Sequence, residues 1–420
     1  MKPYPRYKPT GLAWLPSVPE HWEVRKLRHI LSPVSEKNHA EKPLLSVVRE
    51  KGVILRDTEN KEENHNFIPD DLSNYKLVRE DQFAMNKMKA WQGSYGVSSY
   101  EGIVSPAYFV FDVHGVEKDF FHTAIRSAKY VAYFAQSSDG IRVGQWDLSI
   151  PRMKEIPFLI PPPSEQDRIV RYLDEKTAAI DELVRAKERE IELLRERKQA
   201  LVSAAVTGGL DPATERKDSG VPWIGKIPKG WNVVKFKRIA KVCANLVEPN
   251  QYADYPQIAP ECIEKGSGRL VMSRTVRDAG VESGNHLFKA GQILYSKIRP
   301  TLNKVVIAPC DGLCSADMYP IETTQNKRWF LFFMLSSPFV QQVTECCARV
   351  KMPKINKEDL GQLLVAVPPL PEQERIVAHL DSVCSELDAA EAAIRKQIAL
   401  LQELRTRLVS DAVTGAVEVS

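Results

Sequence analysis

Between Pro161 and Gly209 the chain steps alternately four and three residues through Leu173, Thr177, Ile180, Val184, Lys187, Ile191, Leu194, Lys198, Leu201 and Ala205. Seven of these ten are apolar, and charges of both signs fill the gaps. That spacing predicts one long helix with a coiled-coil seam. Ser164, or the prolines before it, opens the helix, Asp167 completes a short capping box, and Gly208 with Gly209 supplies a left-handed stop. A helix of about 42 residues rises about 60 Å, so it needs an equally long surface to pack on.

The chain contains such a surface. Residues 368–416 align to 161–209 without a gap at an offset of 207, with 22 of 49 positions identical. The seam recurs as Leu380, Cys384, Leu387, Glu391, Ile394, Ile398, Leu401, Arg405, Leu408 and Ala412. The repetition also reaches the segments ahead of each helix. Thr10–Ile30 matches Ser219–Ile239 at an offset of 209, setting Trp14 on Trp223, Pro19 on Pro228 and Trp22 on Trp231. The chain is therefore a tandem duplication of a unit of roughly 208 residues, each unit a globular part followed by a long helix.

Within the globular parts the pattern shortens to β-like runs. Leu44–Val48, Gly52–Leu55, Gln82–Met85, Ala107–Val113 and Ile156–Ile160 read as strands, Asp119–Gln136 as a short helix, and Leu210–Asp218 as a polar linker. Gln82–Phe109 aligns with Gln292–Tyr319 at an offset of 210, so Lys87 meets Lys297, Lys89 meets Arg299 and Gly102 meets Gly312. Bases at i and i+2 share one face of a strand. With Trp91, Gln92 and Tyr95 in the first copy and Asn303 and Lys304 in the second, they combine cationic, amide and aromatic groups suited to phosphate and base contact. A solvated strand face accounts for the same residues equally well.

Composition narrows the reading. The chain has 420 residues, 43% hydrophobic and 27% charged, enough for two cores, and its net charge is +4. The stretches 165–206 and 372–413 together carry −4, which leaves +8 on the globular parts, a modest positive surface. No signal peptide and no membrane-length apolar run is present, so a cytoplasmic protein is expected. All seven cysteines lie in the second half without CxxC spacing, and reduced, buried thiols are expected rather than a metal site. A nucleotide-binding loop, a glycine-rich cofactor turn, an amino-methyltransferase motif and nuclease spacing are absent, and the eight histidines are scattered. No catalytic constellation emerges.

The duplicated EQ[DE]RIV…LVS.AVTG helix behind a Pro-Pro step, the WLP..P..W opening and the K.K.WQGSYG…GIVSPAY core resemble the specificity subunits of type I restriction-modification systems. The resemblance covers nearly the whole chain. It implies an α+β fold of two pseudo-twofold-related mixed α/β target recognition domains, separated by a pair of long antiparallel coiled-coil helices. The corresponding boundaries are 1–160 and 219–367 for the recognition domains, 161–209 and 368–416 for the helices, and 210–218 for the linker. It further implies a non-catalytic adaptor in which each domain reads one half of a bipartite site in double-stranded DNA. Its partners would be two modification subunits, using S-adenosylmethionine to methylate adenine, and ATP- and Mg-dependent restriction subunits. The loop WQGSYG is missing from the second copy, so a DNA role transfers less directly to Lys297 and Arg299. A solitary sequence-specific DNA-binding protein is the alternative.

The seam carries one sharper expectation. If the helix ends are flush, paired residue numbers add to 578, which sets Lys187 opposite Glu391, either as a buried pair fixing register or, equally well, with both side chains reaching outward to solvent.

Overall fold

In the computed structural model the described residues are 2–12, 14–57, 68–142, 145–347 and 353–419; side chains at 141, 142 and 145 are not described. His65 of the scattered histidines lies outside them. The helices, in chain order, are α1 (Lys118–Ile125), α2 (Ala128–Gln136), α3 (Ile150–Lys154), α4 (Pro163–Gly208), α5 (Lys327–Leu335), α6 (Ser337–Cys347), α7 (Lys357–Gln362) and α8 (Leu370–Val413). The chain divides into two compact units. One comprises Met1–Ala186 with Lys396–Ser420, and the other Lys187–Arg395. Each unit thus takes a globular part and about half of each long helix.

Both units are built on the same mixed helix-and-strand frame. The first has an antiparallel sheet in the order Leu31–Val34, Tyr108–Val113, Phe83–Asn86, Tyr95–Val97. The second has Ala240–Val242, Met318–Thr323, Ile293–Ser296, Val305–Ile307 in the same order. The registers agree as well: Phe111 faces Phe83, and Ile321 faces Ile293. Below each sheet the strand leading into a long helix pairs with the strand after the Pro-Trp segment, Pro157–Ile160 with Glu23–Lys26 and Leu364–Val367 with Asn232–Lys235. Gly102 and its counterpart Gly312 have one cause. A Cβ would fall 2.5 Å from the Pro43 carbonyl oxygen in the first case and 2.6 Å from that of Pro256 in the second.

The strands expected from sequence appear within a residue or so of their predicted limits, Gly52–Leu55 among them. Two expectations need correction. The single helix over 119–136 is broken into α1 and α2, because Ser127 turns to extended backbone (ψ 153°) while Arg126 spends its guanidinium on the carbonyls of Tyr95, Arg49 and Glu50. The stretch 210–218 ends in a strand, Arg216–Asp218, paired with Lys226–Pro228. Of the cysteines, Cys262, Cys314, Cys347 and Cys384 are buried and Cys243 is half-buried, whereas Cys310 and Cys346 are exposed; all are free thiols. Burial is therefore not common to all seven.

The repeated helix motifs act as anchors. In the first unit Glu165 accepts hydrogen bonds from the Trp22 indole (3.2 Å) and the Tyr4 hydroxyl, and its other oxygen lies 2.8 Å from His21 Nε2. Gln166 takes the Glu117 amide ahead of α1 (2.9 Å) and donates to the Pro161 carbonyl (2.7 Å). The second unit repeats the device: Trp231 donates to Glu372 (2.9 Å), and Gln373 joins the Asn326 amide at the start of α5 to the Pro368 carbonyl. The far end of the other helix closes on the same tryptophan. Gly415, with φ +70°, lies against Pro19 and Trp22, and Gly209, with φ +72°, lies against Pro228 and Trp231. The buried tryptophan is held between the first turn of one helix and the last turn of its antiparallel partner.

These anchors overturn the flush-ended register. Asp181 meets Arg405 in the first unit, and in the second Arg195 meets Glu391 and Lys198 meets Asp388. In all three the numbers add to 586 rather than 578, so Val413 at the end of α8 comes level with Leu173, Gly208 comes level with Ala378, and each helix stops short of its partner's first turn. Lys187 bonds Glu190 on its own helix, and Glu391 is gripped by Arg195 and Arg395. Leu173, Ile180, Ile191, Ala205, Leu380, Cys384, Ile394, Leu408 and Ala412 are buried, most of the remaining seam positions are half-buried, and Arg405 is exposed.

Candidate nucleic-acid interface

The strand Phe83–Asn86 ends where the Asn86 side chain accepts the Met88 amide (3.1 Å), and residues 87–92 wind into a 3₁₀ turn closed by Gly93 at φ +90°. Lys87 and Lys89 therefore do not share a strand face. With three residues per turn, positions i and i+2 point in different directions. Lys87 is half-buried, 2.7 Å from Asp147 and 6.0 Å from the Phe109 ring centre. Lys89 is exposed and Gln92 half-buried. Trp91 stacks on Trp146, with ring centres 5.1 Å apart and planes inclined by 22°. Trp146 and Asp147 sit on the strand Gln145–Leu148, which pairs with Ser138–Arg142.

Tyr95 is a correction. It is 0% exposed and packs 4.3 Å from Phe134 in the core, where burial pushes its hydroxyl pKa up, so it offers DNA no surface. Beside the loop, Lys76 donates to the Tyr108 carbonyl (2.6 Å) and lies 5.2 Å from the Phe109 ring. Burial first, and Lys37 second, hold its pKa below the ordinary lysine value.

The second unit uses the matching positions differently. Lys297 donates to the Ala316 carbonyl (2.5 Å) and lies 5.3 Å from the Tyr319 ring, the counterpart of Phe109. Burial, and then Lys354, hold its pKa down. Lys297 and Arg299 also leave the strand, which ends at Ser296. Arg299 is exposed in a left-handed conformation, φ +44°, and caps a 3₁₀ turn started by Pro300. Its amide donates to the Pro353 carbonyl and the Ile355 amide donates to the Lys297 carbonyl, each at 2.9 Å, so residues 353–355 run alongside 297–299. Asn303 is the second correction: it is 5% exposed, and its amide is committed to the Met334 carbonyl (3.0 Å). Lys304 is half-buried and donates to the Pro260 carbonyl (2.7 Å).

Sequence reasoning missed Lys76, Trp146, Asp147 and Lys354. A signal for the last two existed. The helix-start residues Ser149 of α3 and Asn356 of α7 differ by 207, and counting back from them sets Asp147 on Lys354 and Leu148 on Ile355. Among the described residues, no group of three or more His, Cys, Asp or Glu is placed to hold a metal ion. No helix among them is long and apolar enough to cross a membrane.

The two units thus carry unlike loops on one duplicated frame. Residues 228–400 match the family model for the type I restriction modification DNA specificity domain. The type I restriction enzyme EcoDI specificity subunit of Escherichia coli is 28% identical over 345 residues, 78% of this chain and 76% of that protein. The matches support a specificity subunit of a type I restriction-modification system. A more distant specificity subunit, the putative MjaX protein of Methanocaldococcus jannaschii, is 21% identical over 442 residues, 96% of this chain and 95% of that one. A chain from a structure described as the basis of complex assembly and conformational transition of the type I R-M system shares the fold. Its TM-score is 0.69 at 15% identity, over 95% of this chain and 99% of that one. As a specificity subunit, this protein recognises DNA and is itself non-catalytic.

Proposed function

We propose that residues 1–160 and 219–367 each read one half of an asymmetric bipartite DNA site, with α4 and α8 setting the spacing between halves. The observation that carries this is one frame with two different loops. Sheet order, register, helix anchors and the glycine pair 102/312 repeat, while the surface they present does not. Unlike reading surfaces fit unlike half-sites, since base-edge readers must differ where bases differ. Lys89, Trp91 and Gln92 in the first unit and Arg299 and Lys304 in the second are the loop residues assigned to DNA contact.

The long helices also dock two modification subunits, which bring S-adenosylmethionine and adenine methylation. Restriction subunits bring ATP, Mg and cleavage, and the complex acts in the cytoplasm. Support comes from one duplicated pair among the exposed leucines of the long helices, which also include Leu183, Leu370 and Leu404. Leu193 is 49% exposed and its equivalent at the 207 offset, Leu400, is 55% exposed, one in each unit. Leucine left in water at duplicate positions is what two copies of one partner require. A solitary DNA-binding protein gives these leucines no role.

The test is co-expression with a cognate modification subunit followed by mapping of methylated adenines. One bipartite motif with two unlike halves is expected. A palindromic motif, or no complex and no methylation, would overturn the reading. Leu193→Asp with Leu400→Asp should abolish co-purification while leaving DNA binding by the chain intact.

A further inference from the structure

The loop of each unit is backed by the segment that precedes a short helix, 145–148 before α3 and 353–355 before α7. At equivalent positions the two units carry opposite charge. Lys87 bonds Asp147 in the first unit, and in the second Lys354, set opposite Ile298 on adjoining backbone, acts on Lys297. The first arrangement is a closed ion pair at 2.7 Å, on the same two segments that stack Trp91 on Trp146. The second is a like-charge pair on adjoining backbone, tied by the Lys297–Ile355 and Arg299–Pro353 hydrogen bonds, with exposed Arg299 completing three cations on two short segments.

No acid among the described residues forms an ion pair with this cluster. The acids acting on it are Asp317, which draws the Lys297 pKa up, and Glu358, which acts on Tyr319; neither forms an ion pair among the described residues. Lys297 instead gives a hydrogen bond to a neutral carbonyl and lies over an aromatic ring, two weak substitutes for an anion. Like charges held together without a counterion destabilise one another, and such an arrangement is relieved by a bound anion.

We propose that Lys297 and Lys354, flanked by Arg299, form a seat for a DNA backbone phosphate in the second unit, and that the first unit has closed the equivalent seat with Asp147. This deepens the DNA-recognition reading and rests on it. The seat contributes affinity and register rather than base choice, because phosphate contacts carry no sequence information. The two half-sites are consequently held unequally: the second by backbone charge at this position, the first by its other contacts.

The test uses the full chain and a fluorescent duplex carrying its methylation motif, with binding measured by anisotropy across a range of KCl concentrations. Each phosphate contact contributes about 0.9 to the slope of log affinity against log salt. Lys354→Ala should make the slope shallower by about 1, with the same loss of affinity on duplexes altered at single bases of the half-site. Lys354→Asp, which copies the first unit, should remove about two such contacts by also occupying Lys297, whereas Lys354→Arg should leave the slope unchanged. In the other direction, Asp147→Asn frees Lys87 and should steepen the slope by about 1. An unaltered slope in Lys354→Asp, or a loss confined to particular base pairs, overturns the proposal while DNA recognition stands. Failure of the unaltered chain to prefer the motif over unrelated duplex overturns both.

Discussion

The two units share a skeleton and differ at the surface it supports. Trp22 and Trp231 are fully buried, each bonded to the glutamate that opens a long helix and each covered by the glycine that ends the other. Beside the loops, one unit joins Lys87 to Asp147 and stacks two tryptophans, and the other gathers Lys297, Arg299 and Lys354. The difference separates two demands on one sequence. Positions that set helix ends and sheet register must keep their chemistry in both copies, because a buried indole needs its acceptor and a close backbone approach needs its glycine. Positions on the loops are free to diverge, and even the sign of the charge changes.

The largest effect expected is at the shared skeleton. Trp231→Ala should cost about 3–5 kcal/mol in the second unit, since it removes a buried aromatic side chain and strands the Glu372 carboxylate. Hydrogen exchange should register the loss in Lys187–Arg395 far more than in the remainder. Trp22→Ala should reverse that pattern, and equal loosening of both units by either change would break the division into two.

The glycines at the helix ends sharpen the comparison. A Cβ on Gly415 would stand 2.4 Å from Pro19 Cδ, whereas one on Gly209 first meets the Glu372 carboxylate at 3.1 Å, the end of a flexible side chain. Both have positive φ, so both alanine variants carry backbone strain of about 1 kcal/mol. Gly415→Ala adds a clash with a rigid ring and should destabilise the chain by about 1–3 kcal/mol more in denaturant titrations.

Acid should separate the units next. Burial, then Arg126, lowers the His122 pKa, and its imidazole nitrogen accepts the Val97 amide at 3.1 Å. A depressed folded-state pKa means that the unfolded chain binds the proton more readily. Stability is therefore fully present above the ordinary histidine range and lost as pH falls through it. The first unit should weaken as pH drops from about 7 toward 5. The second has Leu331 at the matching position and lacks this loss, which His122→Leu should remove from the first.

The smallest effect belongs to the helix ion pairs. Glu391 is held below the usual carboxylate range chiefly by hydrogen bonds from Arg195, with burial opposing and Arg395 helping. Arg195→Ala leaves Arg395 in place and should cost no more than about 1 kcal/mol by thermal denaturation. A loss of several kcal/mol would mean that this pair, rather than the tryptophan anchors, sets the register.

The sequence made the long helices and the duplication legible because a 3.5-residue period sustained over many turns, and terminal glycines repeated at a constant offset, leave little else to fit. The register was not legible. A seam of similar apolar residues at regular intervals accepts more than one alignment, and the choice is made by Trp22 and Trp231, far away in sequence. The loop was misread for a local reason. Asn86 caps the following turn and ends the strand before Lys87, so alternation no longer applies. Tyr95 sits in a polar motif yet points into the core, since Gly93 turns the chain inward and Phe134 receives the ring. Lys354 escaped notice because its partner segment lies more than fifty residues upstream, and only the structure sets them side by side.

The claim that two unlike readers stand on one frame is tested most directly by exchange. Residues 1–160 are replaced by those of another specificity subunit with a different motif, the chimera is co-expressed with modification subunits, and methylated adenines are mapped. One half of the bipartite motif should change to that of the donor, with the other half and the spacing between them unchanged. A motif altered in both halves, or a changed spacing, would contradict the account.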